Sequence, residues 1–262
     1  MSFKTFNFTP AINKAISEAG YTDATEIQKK SIPEILKNKH ILASAQTGTG
    51  KTAAFVLPIL ELLLQDKNKV RGPRVLIVSP TRELANQITD SIKKYARYIN
   101  INSATVVGGM SYKLQNRFLS KPLDILIATP GRLLDLFKQG KIKFKDTKIM
   151  VLDEADKMLD MGFIPDIRKI FNATTKQQQM LMFSATLDNS VSKIANEFLK
   201  NPTTISIKPE TKGHINIQQS LYYVDNQFHK QQLLQHFLAD KDLNQALIFT
   251  STKRQADKLT DD

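Results

Sequence analysis

The chain has 262 residues, a length that suits one large α/β domain with a further segment appended. It carries 37 Lys and Arg against 25 Asp and Glu, and the net charge of +12 favours a polyanionic partner such as nucleic acid. Only eight of the basic residues are Arg and the Lys are dispersed, so a solvated lysine-rich surface is the competing explanation of the charge.

Cysteine is absent, which excludes disulfides and thiolate metal sites and is compatible with a cytoplasmic location. The longest apolar stretch, Ala53 to Leu64, is interrupted by Pro58 and Glu61 and is too short to span a bilayer, so no membrane partner is expected. The start, Met1-Ser2-Phe3-Lys4, lacks the apolar core of a signal peptide.

In chain order, the first informative element is the apolar run Ile41 to Ala45, which reads as a buried strand. It leads into Ala45-Gln46-Thr47-Gly48-Thr49-Gly50-Lys51-Thr52, a P-loop pattern with Ala45 where Gly is usual. Gly48 and Gly50 allow the backbone to turn tightly and approach an anion, and the amides of the loop can surround phosphate oxygens. Lys51 is placed for the β- and γ-phosphates and Thr52 for Mg²⁺. The helix-forming stretch from Ala53 to Leu64 puts the phosphates at a helix N-terminus. A chance glycine-rich turn is the bland alternative.

Further strands are expected at Val75–Val78, Ala104–Val107, Ile125–Ala128, Ile149–Leu152 and Met180–Phe183, with amphipathic segments such as Arg82–Tyr98 and Gly131–Lys138 between them. This alternation predicts a parallel α/β sheet with helices on both faces. Each strand runs into a polar or Gly/Pro cluster: Pro80-Thr81-Arg82, Gly108-Gly109, Thr129-Pro130-Gly131-Arg132, Asp153-Glu154-Ala155-Asp156 and Ser184-Ala185-Thr186. Ligands of open α/β sheets bind beyond the carboxyl ends of the strands, so these clusters define one functional edge. Asp153 is placed to hold Mg²⁺, in part through water, and Glu154 to act as general base on an attacking water. A carboxylate pair at a strand end can also simply cap the next helix. The P-loop and this acidic motif together predict an ATP–Mg²⁺ site in which Lys51, Asp153 and Glu154 carry the chemistry.

The ordered motif set resembles the DEAD-box ATP-dependent RNA helicases of superfamily 2, and the stretch Met158-Leu159-Asp160-Met161-Gly162-Phe163 is similar to bacterial RhlE-type members. The segment Gly20-Tyr21-Thr22-Asp23-Ala24-Thr25-Glu26-Ile27-Gln28 resembles the adenine-selecting Q motif, with Ala24 where the family usually has Pro. Phe3, upstream of it, matches the isolated aromatic that stacks near the base. The resemblance therefore implies that Phe3, Tyr21 and Gln28 join Ala45–Thr52 in binding ATP. A Gln amide offers one donor and one acceptor to adenine N6 and N7, although an exposed helical Gln is the commoner fate of that residue. The resemblance also implies a RecA-like fold. It gives Pro80, Thr81, Arg82, Gly108, Gly109, Thr129, Pro130, Gly131 and Arg132 contacts to the sugar-phosphate backbone of RNA, single-stranded or in a short duplex, without sequence preference. Asp156, Ser184 and Thr186 would couple the ATP edge to the RNA surface, the two hydroxyl residues hydrogen-bonding towards Asp156. Surface ion pairs for the arginines and an ordinary Ser/Thr turn are the bland alternatives.

The C-terminal third is expected to change character. Thr203–Ile207 reads as an edge strand and Lys208 to Gly213 as a breaker-rich linker. A strand at Ser220–Val224, a helix at His229–Ala239 and a strand at Ala246–Thr250 follow, the last in a segment similar to motif IV. The expected division is 1–207 as a RecA-like ATP-binding domain, 208–213 as linker and 214–262 as the incomplete beginning of a second RecA-like domain. About fifty residues cannot form such a domain alone, so this part is expected to pack poorly or to dock on the first. In the family the second domain supplies arginines to the transferring phosphoryl group, whereas after Thr186 this sequence has only Arg254. Since such arginines are worth roughly 10³–10⁵ in turnover, the expectation is ATP binding with very slow hydrolysis and no unwinding by the 262 residues alone. A nucleotide-dependent RNA-binding module without catalysis, and a P-loop ATPase acting on DNA or protein, are the other two readings.

Overall fold

The computed structural model describes residues 2–66, 70, 72–175, 177–207, 218, 220–240 and 243–261. The chain divides into two compact units, Met1–Glu210 and Thr211–Asp262.

The first unit is built on a seven-stranded sheet. Its strands are β1 (Ile41–Ser44), β2 (Val75–Val78), β3 (Ser103–Val106), β4 (Ile125–Ala128), β5 (Ile149–Leu152), β6 (Gln179–Ser184) and β7 (Thr203–Ser206). Their order across the sheet is β3-β4-β2-β5-β6-β1-β7, and every neighbouring pair is parallel. Parallel strands covered on both faces need apolar residues at successive positions, which is why β2 reads Val-Leu-Ile-Val and β4 Ile-Leu-Ile-Ala. Alternation then splits the central strands between two cores. Val75, Ile77, Ile125, Ile127, Ile149 and Val151 face one, and Leu76, Val78, Leu126, Met150 and Leu152 face the other.

On the first face lie α1 (Pro10–Glu18), α2 (Glu26–Leu36), α3 (Lys51–Gln65) and α4 (Arg82–Tyr95), contributing Ile12, Ile32, Phe55 and Ile88 to the core. On the second lie α6 (Pro130–Lys138), α7 (Ala155–Asp160), α8 (Ile164–Ala173) and α9 (Asn189–Phe198), with Leu133, Met158, Ile167 and Phe198 inside. The short helix α5 (Tyr112–Leu119) follows β3. Each fully buried aliphatic side chain is worth about 1.5–3 kcal/mol of transfer free energy. That is enough for α3 to continue through Pro58, which is buried inside it. Glu61, also buried in α3, accepts the Thr9 N–H at 2.8 Å and the Gln65 amide at 3.2 Å, so the charge in that apolar stretch is a satisfied one.

Several boundaries differ from those expected. β3 begins and ends one residue early, β6 extends by one residue at each end, and α4 stops at Tyr95 rather than Tyr98. The strand expected at Ile41–Ala45 ends at Ser44, and β7 ends at Ser206 at the sheet edge.

The second unit contains α10 (Gln227–Leu238) and α11 (Lys253–Asp261). Asn226 caps α10 by accepting the His229 N–H at 2.9 Å, and Tyr222 packs edge-on against Phe237. The strands expected at Ser220–Val224 and Ala246–Thr250 do not form. Neither segment is paired among the described residues, and Leu221, Tyr223, Leu247 and Phe249 are largely exposed. An apolar run becomes a strand only when a neighbour supplies its ladder and covers a face. The linker expected at Lys208–Gly213 lies outside the described residues.

Candidate functional site

Because the strands are parallel, the loops leaving β1, β2, β4, β5 and β6 all open on one edge. After β1 the chain turns through Gly48 (φ +86°) and Gly50 (φ +91°), and Lys51 starts α3. At Gly50 a side chain is excluded twice, by the left-handed backbone and by crowding, since a Cβ would fall 2.4 Å from Gln28 Nε2. Gln28 is buried, not an exposed helical Gln. Its Oε1 accepts the Thr25 N–H at 2.9 Å in a capping box for α2, and its Nε2 donates to the Gly50 carbonyl at 3.2 Å. Each amide atom retains capacity for one more partner.

Lys51 is buried at the strand ends, where its ammonium donates to the Ala45 carbonyl at 2.8 Å and lies 3.5 Å from that of Ser184. Asp153, beyond β5, is buried as well, and its Oδ1 has no hydrogen-bond partner. Burial pushes its carboxyl up to about 7; the Lys51 charge opposes this and Glu154 reinforces it. Glu154 stands at the N-cap of α7 with φ +56°, a left-handed conformation that a non-glycine residue adopts at a cost of about 1–2 kcal/mol. Its side chain makes no capping bond; the carboxylate pairs with Lys157 at 2.6 Å. The helix-capping alternative is therefore not what holds Glu154 there. Asp156 accepts the Ala185 N–H at 3.0 Å and the Thr186 N–H at 3.3 Å. The link from α7 to the loop after β6 runs through these backbone groups and not through the hydroxyls of Ser184 and Thr186; Ser184 Oγ is buried without a partner.

A cavity of about 270 Å³ has Tyr21, Thr47, Gly48, Gly50, Lys51, Thr52, Asp153 and Glu154 in its walls, whereas Gln28, Asp156 and Ser184 do not line it. Ala45 is buried beneath the loop, while Gln46 and Thr49 belong to the loop but not to the cavity wall. Phe3 is buried outside the cavity, stacked on Tyr21 with ring centroids 6.0 Å apart. The opposite wall escaped the sequence reading: Leu84, Gln87, Ile88, Ser91 and Tyr95 present one face of α4 to the cavity. The signal was the helical spacing of 84, 88, 91 and 95. The Tyr95 hydroxyl meets that of Tyr21 at 2.9 Å, and its pKa is raised by burial and by that bond. A larger cavity of about 430 Å³ lies at the opposite edge of the sheet, beside Gly72 and Lys141, and contains none of these residues.

A second surface lies along the same edge, over β2, β3 and β4. Thr81 caps α4 by accepting the Leu84 N–H at 3.3 Å, just after the buried Pro80. Arg82 donates to the Gly108 carbonyl at 2.9 Å, and Gly109, at φ +78°, makes room for it; a Cβ there would fall 2.0 Å from Arg82 Nη1. Arg132 donates to the Met110 carbonyl at 3.0 Å and lies over the Tyr112 ring at 4.1 Å. Thr129 and Pro130 begin α6, and Gly131 is exposed beside Arg132. Among the described residues neither arginine has an acidic partner within ion-pair distance, so each presents unused N–H donors at the surface.

Comparison with known proteins bears on both surfaces. The family described as DEAD/DEAH box helicase matches residues 25–194. The DEAD-box ATP-dependent RNA helicase RhpA of Helicobacter pylori is 40% identical over 258 residues, covering 98% of this chain and 51% of that protein. The ATP-dependent RNA helicase vasa of Drosophila melanogaster is 43% identical over 248 residues, 93% of this chain and 37% of its own length. The chain thus spans about half the length, or less, of these curated relatives. The crystal structure of a DEAD box protein from the hyperthermophile Methanococcus jannaschii superposes with a TM-score of 0.74 at 36% identity, covering all of this chain and 69% of that one.

Proposed function

The chain belongs to the DEAD/DEAH box helicase family, and from that premise we propose that it is the ATP- and RNA-binding portion of an ATP-dependent RNA helicase. The observation that carries the nucleotide half is a buried lysine, Lys51, and a buried carboxylate with one oxygen unpartnered, Asp153 Oδ1, at one cavity. Neither charge is stable there for packing reasons, and a phosphate group with its counterion would satisfy both. In this reading Gln28 and Tyr21 hold adenine, and the loop from Ala45 to Thr52 holds the phosphates.

The residues present fit a magnesium ion. Thr52 and Asp153 would hold it, partly through water, and it would neutralise phosphate charge. Among the described residues no three His, Cys, Asp or Glu side chains converge, as expected where phosphate and water supply most ligands. Glu154 is the base that orients water; Lys157 pairs with its Oε2, which leaves Oε1 to accept the proton. Arg82 and Arg132 hold RNA by its backbone, with Pro80, Thr81, Gly108, Gly109, Thr129, Pro130 and Gly131 shaping the surface. Asp156, bonded to the Ala185 and Thr186 N–H groups, is assigned the coupling of the ATP site to the RNA surface.

Hydrolysis at a useful rate requires arginines from a second RecA-like domain, so these 262 residues bind ATP, turn it over slowly and leave a duplex intact. No helix among the described residues is long and apolar enough to cross a membrane, and the reading carries a cytoplasmic location with it. The test is ATP binding and turnover by the 262 residues, with and without saturating single-stranded RNA. Binding with negligible turnover is the expected result. Strong RNA-stimulated turnover would overturn the need for a second domain, and absence of ATP binding would overturn the nucleotide reading.

A further inference from the structure

Beside the arginine surface stands an aromatic side chain that no motif accounts for. Tyr112 opens α5 directly after the Gly108–Gly109 turn and is 44% exposed. An exposed tyrosine is ordinarily a free rotor, but this one is held from two positions of α6. The Arg132 guanidinium lies 4.1 Å from its ring centroid, and its hydroxyl donates to the Asp135 carboxylate. Arg132 is itself anchored to the Met110 carbonyl. The ring is thus oriented before any ligand arrives, which lowers the ordering cost of stacking on it. Its surroundings are cationic. Lys113 and Arg117 are exposed on α5 without ion-pair partners among the described residues, and together with Arg132 they outnumber the one carboxylate, Asp135, that accepts the tyrosine hydroxyl. That chemistry suits a polyanion that also carries flat apolar groups.

We propose that Tyr112 is a stacking platform for an unpaired nucleobase of the RNA strand whose backbone Arg82 and Arg132 hold. The inference rests on the RNA-backbone reading above and adds to it a contact with the base. Arginines gripping phosphates leave the bases free, and an aromatic face offered to them is sequence-tolerant because every base has a π-face. Stacking of this kind would favour single strands over duplex, whose bases are already stacked on one another.

The alternative is that Tyr112 only positions Arg132, and a cycle across the interface separates the two. The 262-residue chain and its Tyr112→Leu, Tyr112→Phe and Arg82→Ala variants are titrated with a single-stranded RNA decamer and with a wholly abasic decamer of the same backbone. A decamer bearing 2-aminopurine reports stacking by its fluorescence. Stacking predicts that Tyr112→Leu weakens the intact decamer about tenfold, leaves the abasic one unchanged and loses the quenching that Tyr112→Phe retains. Equal weakening of both decamers by Tyr112→Leu would reduce Tyr112 to a positioning residue and overturn the proposal, as would no change in either. Arg82→Ala reports the backbone reading separately: it should weaken intact and abasic RNA alike. Should it change neither while Tyr112→Leu still discriminates them, the backbone role falls and the stacking role stands.

Discussion

Gln28 donates its side-chain N–H to the carbonyl of Gly50, 3.2 Å away, and so ties the first turn of α2 to the residue that launches α3. The same amide caps its own helix through Thr25. A residue expected to read adenine is therefore also a brace for the glycine loop after β1, and substitution tests both roles. Gln28→Glu replaces the donor facing Gly50 with a carboxylate oxygen while keeping the cap acceptor. It should lower ATP affinity by about 1–3 kcal/mol and lower the melting temperature as well, because a buried carboxylate then faces the Gly50 carbonyl oxygen. Gln28→Ala removes both bonds without burying a charge and should cost about 1 kcal/mol of stability through the lost cap. Fluorescent-nucleotide titration beside thermal melting reads both roles, and an unchanged melting temperature for Gln28→Ala would contradict the capping role.

Asp153 gives the fold a pH dependence of defined sign. Its carboxyl is raised from 3.8 to about 7, so the unfolded chain releases this proton more readily than the native one. The corresponding stability is complete below about pH 4 and is lost as pH rises towards 7. In nucleotide-free, metal-free buffer, Asp153→Asn should flatten this part of the melting-temperature profile and stabilise the chain at neutral pH. Parallel profiles for the two proteins between pH 4 and 7 would mean that the carboxylate is not desolvated as described.

At Gly109 the geometry predicts a selective lesion. Gly109→Ala places a methyl group 2.0 Å from Arg82 Nη1 and forces a left-handed alanine. Arg82 should be displaced from the Gly108 carbonyl, and RNA affinity should drop about tenfold, the loss of one charge-assisted contact. ATP affinity should stay within twofold, since Gly109 does not border the cavity beside Lys51 and Asp153. A matching loss of ATP affinity would show that the turn supports both edges.

The Tyr21–Tyr95 hydroxyl pair invites a double-mutant cycle. Each Tyr→Phe change breaks the same bond, so Tyr21→Phe and Tyr95→Phe should each lower the stability of the fold by about 1 kcal/mol in a denaturant titration, and the double variant should cost no more than either. Additive losses would mean that the two hydroxyls contribute independently of each other.

Much of this was legible in the sequence because it is local. Apolar tetrads such as Val75–Val78 and Ile149–Leu152 announce buried parallel strands, and the polar or Gly/Pro cluster after each one stands at the carboxyl edge of the sheet. The phosphate loop, the acidic motif and the arginines at 82 and 132 stand at the positions that their neighbours in the chain dictate. What stayed hidden depends on elements distant in sequence. Nothing within Gln28's own helix says that it will meet Gly50, or within Asp156 that its partners will be the backbone N–H groups of Ala185 and Thr186 rather than the hydroxyls beside them. Tyr95 and Tyr112 lie outside every motif and gain their surroundings only from the packing of α4 and α6. The segments at Ser220–Val224 and Ala246–Thr250 mark the same boundary from the other side. Their apolar character is plain in the sequence, but a strand exists only when a second strand satisfies its backbone, and that partner is a property of tertiary structure.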